Sequence, residues 1–167
     1  MLRAGWFPGV VGDIAALHAR QYAQSHGFGA VFEAKVAREL GEFLTRPPAP
    51  GDLFRAVERE GRALGSIALE DEGAGVAHLR WFILDAALRG SGLGKILLDA
   101  VMAHAQAAGF SRIYLWTLDG LPAAARLYAA AGFVETRRLS ATQWGVETTE
   151  LRLEWHREVG AISGPGP

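Results

Sequence analysis

The sequence predicts one domain of the α+β (α/β) class, a mixed central sheet flanked by helices. Three observations lead there. A chain of 167 residues suits a single unit. Near Leu53 the spacing of apolar residues changes from a helical period to a strand period. Beyond that point strands alternate with helices and end in two further strands, with no internal repeat and no second boundary. The chain is 50% hydrophobic, so a sizeable core forms without covalent staples. The expected domain spans residues 1–158, and the Gly- and Pro-bearing stretch 159–167 reads as a flexible tail.

Each element has its own signal. Residues 14–46 read as two helices: "IAALHARQYAQ" repeats apolar residues at helical spacing, "HGFG" interrupts, and "VFEAKVARELGEFL" resumes at Val31, Phe32, Val36, Leu40 and Phe43. "TRPPAPGD" is a loop. "LFRAVERE" and "ALGSIALE", divided by Gly61, read as a hairpin. After the turn "EDEGAG", "VAHLRWFILD" is the most β-rich run. Its apolar residues become continuous towards Asp85, as in a strand covered on both faces. Leu93, Ile96, Leu97, Ala100, Val101, Ala105 and Ala108 then form one helical stripe, with Gly109 placed to end it. "RIYLWT" is a strand. Pro122 suits the first turn of a helix that continues through "AAARLYAAA" to Gly132. "FVETRRLS" and "TTELRLEW" are the closing strands.

Composition excludes several functions. The formal net charge is -1 with both signs mixed along the chain, unlike the basic face of a nucleic-acid binder. There is no cysteine, hence no disulfide, thiolate metal site or cysteine nucleophile. The histidines (His18, His26, His78, His104, His156) lack paired metal-ligand spacing, and no metal is expected. No run reaches the ~18 apolar residues of a membrane span, and no secretory signal frames the N-terminus. A cytoplasmic protein without membrane or nucleic-acid partners is expected; a homodimer is left open.

The chemistry concentrates in "LRGSGLGK", just before the third helix. A helix N-terminus offers unsatisfied N–H groups and partial positive charge, and glycines let the backbone approach a phosphate. A phosphate-binding loop of the G-x-x-x-x-G-K-[ST] type fails, because Arg89 stands at the first glycine and Ile96 at the hydroxyl. A dinucleotide-binding G-x-G-x-x-G also fails at its last spacing. A third reading fits. Arg89-Gly90-Ser91-Gly92-Leu93-Gly94 resembles the R/Q-x-x-G-x-G/A loop of the GNAT superfamily of acyl-CoA N-acyltransferases. Ala124-x-x-Leu127-Tyr128-x-x-x-Gly132-Phe133 resembles that superfamily's second signature. The likeness covers residues ~53–155. Many members carry Asn three residues before that alanine, where this chain has Leu121. Further upstream, His18, Tyr22, Gly27, Phe32, Glu33 and Val36 resemble the acyltransferase half of bacterial MarR-type/GNAT fusion proteins. With no winged helix ahead of them, a free-standing enzyme is expected.

The resemblance implies a GNAT fold of about six to seven strands, splayed between the fourth and fifth. It also implies acetyl-CoA as acyl donor and acetylation of a primary amine. The acceptor would be a small molecule such as an amino acid or polyamine, or a peptide or protein amine. With no cysteine to carry the acyl group, the amine would attack directly in a ternary complex. Acyl transfer to an amine needs a proton acceptor, because an ammonium near pKa ~10.4 has no lone pair. It also needs fixed geometry, donors for the developing oxyanion, and a proton for the leaving thiolate.

By resemblance, Tyr128 is the acid and flanks the sulfur. His78, eleven residues before Arg89, falls where relatives carry a strand carboxylate; titrating near ~6.5, it is the base candidate, with water as the alternative. The backbone of Phe82, Ile83 and Leu84 would pair with pantetheine as an added strand. Arg89, Gly90, Ser91, Gly92, Leu93, Gly94 and Lys95 would hold the pyrophosphate. His18, Tyr22, Glu33 and Trp144 are the acceptor-binding candidates. A non-catalytic acyl-CoA-binding or regulatory domain with the same fold is the rival reading.

Overall fold

A computed structural model describes residues 1–158. The expected flexible tail, 159–167, lies outside the described residues. The elements in chain order are β1 (Leu2–Ala4), α1 (Val10–His26), α2 (Ala30–Thr45), β2 (Leu53–Arg59), β3 (Arg62–Gly73) and β4 (Val76–Leu84). A short 3₁₀ turn (Ala86–Leu88), α3 (Leu93–Ala108), β5 (Arg112–Leu118), α4 (Pro122–Ala130), β6 (Val134–Ala141) and β7 (Thr148–His156) follow. The seven strands form one sheet in the order β1-β2-β3-β4-β5-β7-β6, within the expected six to seven. β1 is the strand that sequence reasoning did not anticipate; its three residues, all exposed, carry no alternation to read.

Both sheet faces are covered, but by different helices. α1 and α2 lay Ile14, Leu40 and Phe43 over one face, meeting Phe54, Ala68, Trp81 and Ile83. α3 and α4 cover the other, where Leu97, Val101, Leu127 and Tyr128 meet Leu69, Leu79, Ile113 and Leu115. Two-sided cover explains the continuous apolar run at the end of β4. Both hairpins ahead of it turn through two residues at positive φ, Glu60-Gly61 and Ala74-Gly75, the mirror-image turns that match strand twist. Asp13 in the first turn of α1 accepts from Arg62 Nε (2.8 Å) and from the Ala63 N–H (2.9 Å), tying that helix to the β2–β3 hairpin.

Among the described residues β4 and β5 are the only parallel neighbours, and their pairing is short. The ladder runs from Val76↔Arg112 to His78↔Tyr114 and stops. Beyond it Leu79–Leu84 and Leu115–Leu118 run on, each held only by its other neighbour, β3 or β7. This is the splay implied by the resemblance.

β4 is also bulged. Its register against β3 passes from Ala68↔Arg80 to Ser66↔Ile83, so Trp81 and Phe82 together oppose Ile67. Trp81 sits at φ 46, a left-handed conformation rare for a bulky residue. Ser66, fully buried, donates its hydroxyl to the Trp81 carbonyl at 2.6 Å and holds the bulge. One consequence overturns simple alternation. On a regular strand His78 would share a face with Arg80 and Phe82. The extra residue instead sends Arg80 and Trp81 both towards α2, and Phe82 to the α3–α4 side.

Candidate active site

The glycine loop takes the form the sequence suggests. Gly92, at φ 84, is the N-cap of α3, with Leu93 as the first helical residue. A side chain on Gly90 or Gly92 would meet nothing within 4 Å, so the loop is an open cradle whose backbone is accessible. Ser91 donates to the Leu88 carbonyl at 2.6 Å and accepts weakly from the Leu93 N–H, shaping the turn. Gly94 has a packing reason as well: a Cβ there would lie 3.2 Å from Leu127 Cδ1 and 3.5 Å from Leu84 Cδ1, so its absence lets α3 approach α4 and β4. The first N–H groups of α3 have no helical partner and suit a pyrophosphate. Arg89 lies exposed on this loop. Lys95 donates to Asp99 at 2.6 Å along its own helix, so its ammonium is already engaged.

Where β4 and β5 part there is a cavity of about 350 Å³. Tyr128 belongs to the α4 layer, edge-on to Phe82 and Phe133 with ring centroids 5.9 Å from each. It nevertheless lines the same cavity as Tyr22 of α1, on the opposite face of the sheet. The gap between β4 and β5 is what lets a residue of one layer reach the other. Among the described residues no protein group hydrogen-bonds the Tyr128 hydroxyl, and the residue lines the cavity. Burial, reinforced by Tyr22, pushes its pKa well up, so it stays a neutral phenol able to donate. Tyr22 is raised by burial too, while the Arg89 charge works the other way, linking the glycine loop to the cavity.

His78 sits at the last rung of the β4–β5 ladder, stacked on Tyr114 at 4.3 Å, with Nδ1 3.6 Å from a Glu72 oxygen. It lines the cavity. Burial, then the charges of Arg80 and Arg152, bring its pKa down to about 3. The ionisation expected near 6.5 is therefore displaced; His78 is a neutral imidazole at all physiological pH. His18 is neutral too, brought down to about 4 by burial against a smaller opposing effect of its bond to the Ile14 carbonyl. That 2.8 Å bond places the proton on Nδ1 and leaves Nε2 as acceptor.

Of the acceptor-binding candidates, His18, Tyr22 and Trp144 line the cavity and Glu33 does not. The register of α2 is the reason: Phe32, Lys35, Val36 and Glu39 share the inward face, and Glu33 lies about a quarter turn away, exposed in the first turn. Phe28 and Phe32 meet Trp144 at 5.9 and 5.2 Å, so the β6–β7 connection roofs the cavity against the α1–α2 junction.

The structure adds residues that no sequence spacing marks. Arg80 pairs with Glu39 and, at 2.9 Å, with Glu70. Glu39 also holds Lys35; burial opposes its ionisation, but these two cations prevail and its pKa falls. Glu150 of β7 reaches the cavity from the far side. Lys35 and Glu39 could have been read as an i,i+4 helical pair. Arg80 and Glu150 had no such signal. Glu70, Glu72 and His78 bring ligand-type atoms within 4.8 Å of one another, but two arginines sit on Glu70 and the Tyr114 hydroxyl on Glu72. The nearby guanidinium charge repels a cation.

Comparison with known proteins agrees with this geometry. The acetyltransferase (GNAT) family matches residues 13–133. An uncharacterised N-acetyltransferase of Schizosaccharomyces pombe is 30% identical over 119 residues, covering 70% of this chain and 72% of that protein. Among solved structures, an acetyltransferase from Streptococcus agalactiae superposes with a TM-score of 0.74 at 18% identity, over 94% of this chain and 98% of that one. The YncA acetyltransferase of Salmonella typhimurium, solved with its cofactor acetyl-CoA, gives 0.65 at 17% identity, over 98% and 97%. These two show the fold. With its splayed sheet, bulged fourth strand and glycine-capped third helix, this chain belongs to the acetyltransferase (GNAT) family, whose members use acetyl-CoA.

Proposed function

We propose that the protein moves acetyl from acetyl-CoA to a primary amine of a small molecule by direct attack in a ternary complex. The observation that carries this reading is the Tyr128 hydroxyl, protonated, without a protein partner among the described residues, and lining the cavity beside the β4–β5 gap. Bound acetyl-CoA would supply the activated acyl group. The N–H groups at the start of α3 and the Arg89 guanidinium would hold its pyrophosphate, and the free edge of β4 around Phe82, Ile83 and Leu84 would pair with its pantetheine amides. Tyr128 would hydrogen-bond the sulfur and give it a proton as the thiolate leaves. His78 is a hydrogen-bond acceptor in this scheme, orienting the amine or a water that carries the proton to solvent. A ring with pKa about 3 does not keep that proton at neutral pH. In this reading α1 and α2 form the lid over the acceptor.

The test is thiol release from acetyl-CoA over a panel of amines, with product acetylation followed by mass spectrometry. Turnover that appears only when an amine is present supports transfer. Tight CoA binding without turnover for any amine would instead make the chain a non-catalytic acyl-CoA-binding domain.

A further inference from the structure

The charges that line the cavity are unequal in their freedom. Lys35 is held by Glu39, and Arg80 by Glu39 and Glu70. Among the described residues both cations of the cavity wall, Lys35 and Arg80, already have a carboxylate partner. Glu39, with two cationic partners, is equally occupied. Glu150 differs. Gln143 Nε2 and Trp144 Nε1 both donate to its Oε1, at 2.5 and 3.2 Å, and among the described residues no salt bridge reaches it. Among the described residues nothing donates to its second oxygen, Oε2. The two donors come from the β6–β7 connection, so the carboxylate is aimed by the same segment that places the Trp144 ring against Phe28 and Phe32. Tyr22 stacks on Phe28 at 5.7 Å and extends that aromatic wall, and the half-exposed Trp116 adds to the cavity from β5.

We propose that the acceptor is a primary monoamine on an aromatic or apolar body without a carboxylate, its ammonium held by the free oxygen of Glu150. This rests on the acetyltransferase reading above and names its acceptor class. An ammonium gains a charge-assisted hydrogen bond from that oxygen and attraction to the neighbouring ring faces. The apolar body fills the aromatic wall. An amino acid of the same body would bring a carboxylate that finds no free cation and is repelled by Glu150. A polyamine would bring further ammonium groups into a wall whose other carboxylate is taken.

A matched panel tests this: 2-phenylethylamine, phenylalanine, spermidine and an alanyl tripeptide, each with acetyl-CoA. The first two differ only by a carboxylate. Expected is a kcat/KM for 2-phenylethylamine at least ~100-fold above that for phenylalanine, since a buried unpaired charge is strongly rejected. Glu150→Gln should raise the KM for 2-phenylethylamine by roughly 10–100-fold and leave the KM for acetyl-CoA within a few-fold. Glu150→Asp should recover part of the loss. Equal or better turnover of phenylalanine, spermidine or the tripeptide would overturn the acceptor class and leave acetyl transfer standing. So would an unmoved amine KM in a folded Glu150→Gln protein. If that variant does not fold, the wild-type panel decides alone. No thiol release with any of the four amines, CoA binding being intact by calorimetry, would overturn the transfer reading and this inference with it.

Discussion

The glycine loop and the acceptor cavity are built in opposite ways. The loop is a contiguous stretch, Arg89 to Lys95, whose candidate binding groups are backbone N–H atoms that the glycines leave unobstructed. The cavity draws side chains from α1, α2, β4, β5, α4, β7 and the β6–β7 connection. A phosphate needs a concave backbone at a helix start, which a short motif supplies. An amine needs charge and shape from several directions, which no short motif encodes. The candidate cofactor loop is therefore legible as a motif, whereas the candidate acceptor cavity is assembled only by the fold.

Tyr128 is where the two regions meet, and replacing it should have the largest effect. Tyr128→Phe keeps the edge-on contacts with Phe82 and Phe133 and removes the proton donor. A fall of roughly 10²–10⁴ in kcat is expected, with acetyl-CoA binding little changed. Because the hydroxyl has no protein partner, the melting temperature should hardly move. A kcat within a few-fold of wild type would reduce the residue to packing.

Gly92→Asp separates the loop from the cavity. It forces a side chain onto a backbone at φ 84 and sets a carboxylate against the phosphates. A like charge at ~4 Å costs about 4 kcal/mol at an effective dielectric near 20, or some three decades of CoA affinity by calorimetry. The cavity lies apart from this position, so its buried histidines should titrate as before. Unchanged affinity in a folded variant would move the phosphate site elsewhere.

The cavity's own signature is its response to acid. His18 has a folded pKa of about 4 against an ordinary 6.5. Between those values the unfolded chain binds the proton and the folded one does not. Its stabilising contribution is thus complete above 6.5 and is lost as pH falls towards 4, on the order of 3 kcal/mol in all. Urea denaturation at stepped pH should show wild type losing stability through that window faster than His18→Gln. His78, with its pKa at about 3, has the same sign over a wider window. It should leave no limb near 6.5 in kcat/KM, and His78→Ala should keep the shape of the pH–rate profile. A wild-type limb near 6.5 that vanishes in the alanine variant would restore His78 as the base.

The smallest effect probes the bulge. Ser66→Ala removes the hydroxyl that holds the Trp81 carbonyl and should destabilise by about 1–2 kcal/mol. The KM for acetyl-CoA should rise a few-fold, because the free edge of β4 is aimed by that bulge. A stability loss with no change in KM would make the bulge a matter of packing only.

The sequence by itself determined the order of elements from α1 onward, the bounds of α3, the start of α4 and the glycine loop, because each rests on local chemistry. Apolar period sets helix or strand, Pro122 opens α4, and Gly92 and Gly109 bracket α3 in left-handed conformations. It also carried the A-x-x-L-Y spacing that placed Tyr128. Tertiary structure decided the rest. The bulge was illegible because Trp81 takes a conformation its residue type does not advertise. That one extra residue reverses the alternation that would put Phe82 on the same face as His78. The pKa of His78 follows from its burial and from Arg80 and Arg152, arginines of its own strand and of β7. Glu33 and Glu150 are both acidic residues in otherwise ordinary runs. Helix rotation left Glu33 in solvent, whereas pairing of β7 between β5 and β6 carried Glu150 to the cavity. A local motif can expose a backbone. Which charges remain unpaired in a cavity is settled only when every neighbour has taken its place.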